Sequence, residues 1–129
     1  MREILFKAKR IDDGEWVEGY VVRYGFTGKE KWHIVPSYAS DLYSFEIDEN
    51  TICQYTGLKD KNGVKIWENN IVKCGINLVV SWKENLASFC LNKNGWAYPH
   101  FFGEAAEPQD VEVVGSTFDN TELLEGGAK

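Results

Sequence analysis

The 129 residues suffice for one ordinary domain or two small subdomains, and are too few for a dinucleotide-binding enzyme or a TIM barrel. With 14 Lys and Arg against 20 Asp and Glu the net charge is −6, which weighs against broad phosphate-backbone binding, while 43% apolar content is enough to build a core. Five Trp, six Tyr and seven Phe, 14% of the chain, suit pleated sheets better than helical bundles.

In chain order, residues 4–11 read as a strand with Ile4, Phe6 and Ala8 on one face. Asp12-Asp13-Gly14 supplies a hairpin turn, and residues 16–24 alternate as a second strand. Residues 25–31 form a polar loop. Residues 32–35 are a short strand stopped by Pro36, residues 37–44 are irregular, and residues 45–47 pair briefly. A strand over 51–56 ends at Gly57. The run Gly57 to Gly63 is rich in turn formers, Lys65-Ile66-Trp67 is extended, and Glu68-Asn69-Asn70 is a tight turn. Strands follow over 71–74, 78–83, 86–91, 96–102 and 111–118, with turns at Gly75-Ile76-Asn77, Glu84-Asn85 and Lys93-Asn94-Gly95. Asp119 or Asn120 caps a last helical turn, and residues 125–129 are a frayed tail. No long 3.6-residue period occurs.

The expected fold is therefore mainly β with antiparallel sheets and little helix. An N-terminal β-hairpin region, residues 1–56, packs on a C-terminal SH3-like small barrel, residues 57–124, the two being subdomains of a single unit over 1–129.

Chemistry-bearing patterns are sparse. Gly28-Lys29 lacks the flanking residues of a phosphate loop, since Arg23 and Glu30 stand where Gly and Ser or Thr are required. Cys53, Cys74 and Cys90 are scattered and read as reduced thiols, and with His33 and His100 they offer no local pair to anchor zinc. The histidines read as half-buried strand residues. The carboxylates, among them Asp12, Asp13, Asp48, Asp110 and Asp119, sit mostly at turns. No catalytic, cofactor or metal residue is assigned. Trp16, Tyr20, Tyr24, Trp32, Trp67, Trp82, Trp96 and Tyr98 read as packing residues before a stacking platform. The candidate partner-binding residues are Gln54, Tyr55, Lys59, Lys61, Lys65 and Trp67, because loops on rigid scaffolds carry function. No apolar run approaches the ~20 residues that span a bilayer, and the N-terminus lacks a signal-peptide core. A cytoplasmic protein without membrane partners is expected.

Three blocks resemble the YopX family of bacteriophage and prophage proteins. They are residues 2–10 with 14–20, residues 54–63 continuing through Ile66-Trp67-Glu68 to Ile71-Val72, and residues 113–124. The chain departs from that pattern at Asn69-Asn70, where Gly-Asp is usual, and at Ser116 and Thr121, where Asn and Pro are usual. The resemblance implies a mostly β fold with a barrel-like part and a homo-oligomer, and carries no catalytic residue. The leading functional reading is a phage-derived, non-enzymatic module that binds a protein partner or copies of itself. The alternative is nucleic-acid binding, with Lys59, Lys61, Lys65 and Lys73 as a basic edge and Trp67 or Trp82 stacking. Chemistry by an enzyme is the third reading.

Overall fold

A computed structural model describes residues 4–36, 44–93, 100–102 and 107–125. The expectations for residues 37–43, for the turn at Asn94-Gly95, for Trp96 and Tyr98, and for the last four residues lie outside the described residues. The chain divides into two compact units, Met1–Tyr55 and Thr56–Lys129. Both are built on antiparallel strands, and the sole α-helix among the described residues is a single turn, α1 (Glu122–Glu125).

The first unit holds β1 (Phe6–Lys9), β2 (Trp16–Tyr24), β3 (Lys31–Pro36), β4 (Phe45–Glu46) and the start of β5 (Cys53–Lys59). The strands lie in the order β4-β3-β2-β1-β5. Alternation sets the faces. Ala8 pairs with Val17 and Val21 with Ile34 on the inner face, while Lys7 pairs with Glu18 and Lys9 with Trp16 on the outer face. Ala8, Val17, Ile34 and Ile47 form the buried core, against which Phe6, Val21, Trp32, Phe45 and Ile52 pack. Gly19 is required by close approach: a Cβ there would collide with the Val35 carbonyl. The hairpin turn closes through Gly14 N–H to the Arg10 carbonyl at 3.0 Å, with Gly14 at φ 74°.

Several boundaries differ from expectation: Ile76 and Asn77 fall in a strand where a turn was expected and Leu86 in a 3₁₀ turn where a strand was expected, and Thr51 and Gly57 show the physical reasons. Thr51 belongs to a 3₁₀ turn, Glu49–Thr51, capped by the Asp48 side chain accepting from Asn50 N–H at 3.0 Å. The Thr51 hydroxyl accepts from Lys9 N–H at 2.8 Å, which draws it out of the strand. β5 then runs through Gly57, at φ 88°, to Lys59. Gly57 absorbs a local bend that the strand survives.

In the second unit, β6 (Lys65–Trp67) neighbours the later part of β5. β7 (Asn70–Cys74), β8 (Ile76–Lys83), β9 (Ser88–Asn92) and β10 (His100–Phe101) form a meander. A 3₁₀ turn at Pro108–Asp110 leads to β11 (Glu112–Ser116), which returns to pair with β7. The order is β10-β9-β8-β7-β11, with a bulge between Val113 and Gly115. Ile66, Val72, Leu78, Val80, Leu91 and Val111 form the core. Among the described residues this sheet is open. β10 and β11 are its two edges, and no pairing joins them into the expected closed barrel. The terminal turn also differs in its cap. The Asn120 side-chain oxygen accepts from Ser116 N–H at 3.1 Å instead of from the helix it precedes.

Candidate functional site

The segment favoured by sequence is mostly architecture. Tyr55 and Trp67 are 5% and 4% exposed, so neither ring offers a face to a partner. Gln54 and Lys65 are half-buried, and Lys59 and Lys61 are exposed. The residue that organises the loop is Asp60, only 6% exposed. Its Oδ1 accepts from Asn62 N–H at 2.8 Å and Val64 N–H at 2.9 Å, and its Oδ2 accepts from Val113 N–H at 2.9 Å. Burial pushes this carboxyl up. The N–H groups of Val113, Val64 and Asn62, with Lys61 nearby, outweigh that and hold it below the usual carboxylate range.

The next turn is of the same kind. Asn69 takes the left-handed conformation at φ 69°, which asparagine tolerates where the family pattern has glycine. Asn70 Oδ1 accepts from Trp67 N–H at 2.7 Å, and its Nδ2 donates to the Gly115 carbonyl at 3.4 Å. An aspartate could make only the first of these bonds. Thr117 N–H donates to the Asn69 carbonyl at 2.9 Å. The second and third blocks of the resemblance are thus cross-linked to each other through Asp60, Asn69 and Asn70.

Most described cationic groups of the first unit are already engaged, the exposed Lys29 being the exception. Lys7 and Lys9 lie over the Trp16 ring, at 4.5 and 5.4 Å from its centroid, and Arg23 lies over Trp32 at 5.5 Å. Arg10 lies over Phe45 at 3.7 Å and pairs with Asp12 and Asp13. Its hydrogen bonds lower the Asp12 pKa. Lys31 meets Glu46 at 3.7 Å.

The second unit differs. On the face of its sheet turned away from the core, β8 presents Asn77, Val79, Ser81 and Lys83 at every second position, while Leu78 and Val80 face inward. Lys73 pairs with Asn77 and Asn92 with Val79, so all share that face. Together with Lys93 and the terminal residues Thr117, Glu122, Leu123 and Leu124 they line a groove of about 670 Å³. Asn77 Nδ2 holds the terminal turn at its rim by donating to the Leu123 carbonyl at 3.0 Å. Ser81 Oγ and Asn92 Oδ1 are buried and have no hydrogen-bond partner among the described residues. Each orphaned group of this kind costs about 1–3 kcal/mol unless something meets it. Lys73, Lys83 and Lys93 form no ion pair among the described residues.

Of these, only Lys73 stood out in the sequence. The period-two polar positions of β8 are legible there, but the register that adds Asn92 is not. Trp82, 41% exposed, packs edge-on against Phe89 at 5.0 Å, away from the groove lining. Of the histidines, His33 is half-buried with Nδ1 at 3.0 Å from the Lys31 carbonyl, and His100 lies in β10. Among the described residues no group of three or more His, Cys, Asp and Glu is placed to hold a metal ion. Nor does any of their helices have the length and apolarity to cross a membrane.

The family described as YopX protein matches over residues 5–125. No curated protein matches the sequence. Among solved structures, protein EF1440 from Enterococcus faecalis is similar in fold, with a TM-score of 0.59 at 22% identity, over 96% of this chain and 99% of that one.

Proposed function

The chain belongs to the YopX family, and from that premise we propose that it is a non-enzymatic binding module whose partner is a protein. The proposal extends to bacteriophage origin, a cytoplasmic setting and self-association. The observation that carries it is the groove on β7–β9, where three unpaired lysines surround two buried polar atoms left without partners. Cationic groups gathered without partners on a concave sheet face are available to an oppositely charged ligand. Among the described residues the lining holds no aromatic ring on which a base would stack, which favours a protein over a nucleic acid. Four meander strands, a crossover through a 3₁₀ turn and a fifth strand returning to the first also support reading this sheet as a relative of the SH3 barrel.

The test is size-exclusion chromatography with light scattering on the full chain, alone and with a 20-nucleotide oligothymidylate, at low and high salt. The expected result is a stable oligomer of the protein with no co-eluting absorbance at 260 nm. Co-elution that salt reverses would replace this reading with nucleic-acid binding.

A further inference from the structure

Resting on that reading, we propose that the groove takes an extended acidic peptide segment with carboxylates at alternate positions. Its carboxylates would meet Lys73, Lys83 and Lys93, and its backbone would meet Asn92 and Ser81. Charge is the first argument. Among the described residues three ammonium groups without ion pairs line the groove and Glu122 is the one carboxylate in its lining, so the pocket is cationic in a chain of net charge −6.

Hydrogen-bond type is the second argument. Asn92 Oδ1 is an acceptor and needs an N–H donor. Phosphate or sulfate at neutral pH offers chiefly acceptor oxygens and would leave it unmet. A peptide backbone carries both donors and acceptors, so it can satisfy Asn92 Oδ1 and the Ser81 hydroxyl together once side-chain rotation turns these buried atoms toward the groove.

Geometry is the third. The lining follows β8 from Gly75 to Lys83, and at about 3.3 Å per residue that is a track of roughly 25 Å. An extended peptide has the same period of two. Its acidic side chains would reach the lysines of the sheet face while the intervening apolar ones turn toward Leu123 and Leu124 of the terminal turn. A nucleic acid would supply anions and N–H donors too, but finds no ring among the described lining residues to stack its bases.

The experiment is fluorescence anisotropy with the full chain and a labelled ten-residue peptide of alternating Glu and Val. Its Gln-for-Glu counterpart, oligothymidylate and inorganic phosphate are the comparison probes. The Glu peptide should bind, and the Gln peptide should bind about ten-fold more weakly. Lys83→Gln and Lys73→Gln should each weaken the Glu peptide several-fold. Asn92→Leu should weaken Glu and Gln peptides by the same factor, because it removes a backbone contact and no charge. Circular dichroism of each variant checks that it folds. Equal binding of the Glu and Gln peptides overturns the proposal. Tight oligothymidylate binding lost in the lysine variants also overturns it, since the groove would then serve a nucleic acid. Phosphate displacing the peptide at equal charge concentration would do the same in favour of a free anion. Peptide binding that all three groove variants leave unchanged removes the groove itself, and with it the binding reading on which this proposal rests.

Discussion

The two units carry similar cationic side chains and use them in opposite ways. In the first, Lys7, Lys9, Arg10, Arg23 and Lys31 each lie on an aromatic ring or beside a carboxylate, and of the described cations there only Lys29 does not. In the second, Lys73, Lys83 and Lys93 project around a groove without ion pairs, above two buried polar atoms that also lack partners. The difference teaches that a cluster of lysines in sequence is a poor guide to a site. The cluster at 7–10 is satisfied by its own strand neighbours, whereas the groove draws lysines 20 positions apart onto one sheet face.

The largest expected effect tests whether the first unit is scaffold. Gly19→Ala drives a Cβ into the Val35 backbone and should destabilise that sheet by more than about 3 kcal/mol, measured by urea denaturation. A loss below about 1 kcal/mol would mean that β2 and β3 are less closely apposed than described.

Next is Asp60, the second unit's structural carboxylate. Asp60→Ala strands the N–H groups of Asn62, Val64 and Val113 and should cost about 2–3 kcal/mol. Its pH dependence follows from the lowered pKa. The contribution of Asp60 is complete above the unfolded carboxylate value of about 3.9 and is lost as pH falls through the lower folded value. Wild type should therefore lose more stability than Asp60→Asn between pH 5 and pH 2. Parallel pH profiles would contradict the assignment.

Asn70→Asp restores the carboxylate of the family pattern. It keeps the acceptor for Trp67 N–H but replaces the donor to Gly115 with a charged oxygen facing a carbonyl, so a loss of about 1 kcal/mol is expected. A gain in stability would show that the Asn70 amide is not anchored to Gly115.

The smallest effects sharpen the comparison most. Lys9→Ala, which removes an exposed cation–π contact, should cost less than about 1 kcal/mol. Replacing Lys73, Lys83 and Lys93 together by Gln should change stability by no more than about 0.5 kcal/mol in either direction, because those groups have no partners to lose. A marked destabilisation by the triple change would place the groove lysines in the scaffold.

Much of the fold was legible because alternation is a local signal. β2 occupies the predicted residues 16–24, and the turn at Glu68-Asn69-Asn70 falls where the polar cluster put it. Boundaries set by distant partners were not legible. Thr51 leaves its predicted strand for Lys9, 42 positions away, and Gly57 continues a strand it was expected to end. How deeply Tyr55 and Trp67 sit was not legible for the same reason. Residues 54–63 read either as an elaborate turn or as a partner loop because they are polar and rich in turn formers, and Asp60 turns part of that polarity inward onto backbone donors. The groove depends on the pairing of β7, β8 and β9, and no short window of sequence shows that Lys73, Ser81 and Asn92 share a face.

The most direct measurement is an NMR titration of the isotopically labelled full chain with the alternating Glu and Val peptide, following backbone amides. The account predicts saturable shifts at Lys73, Asn77, Ser81, Lys83 and Asn92, with β1–β3 and the Asp60 loop unmoved. Shifts centred on Lys59, Lys61 and Lys65, or on the Trp16 face of the first unit, would contradict it.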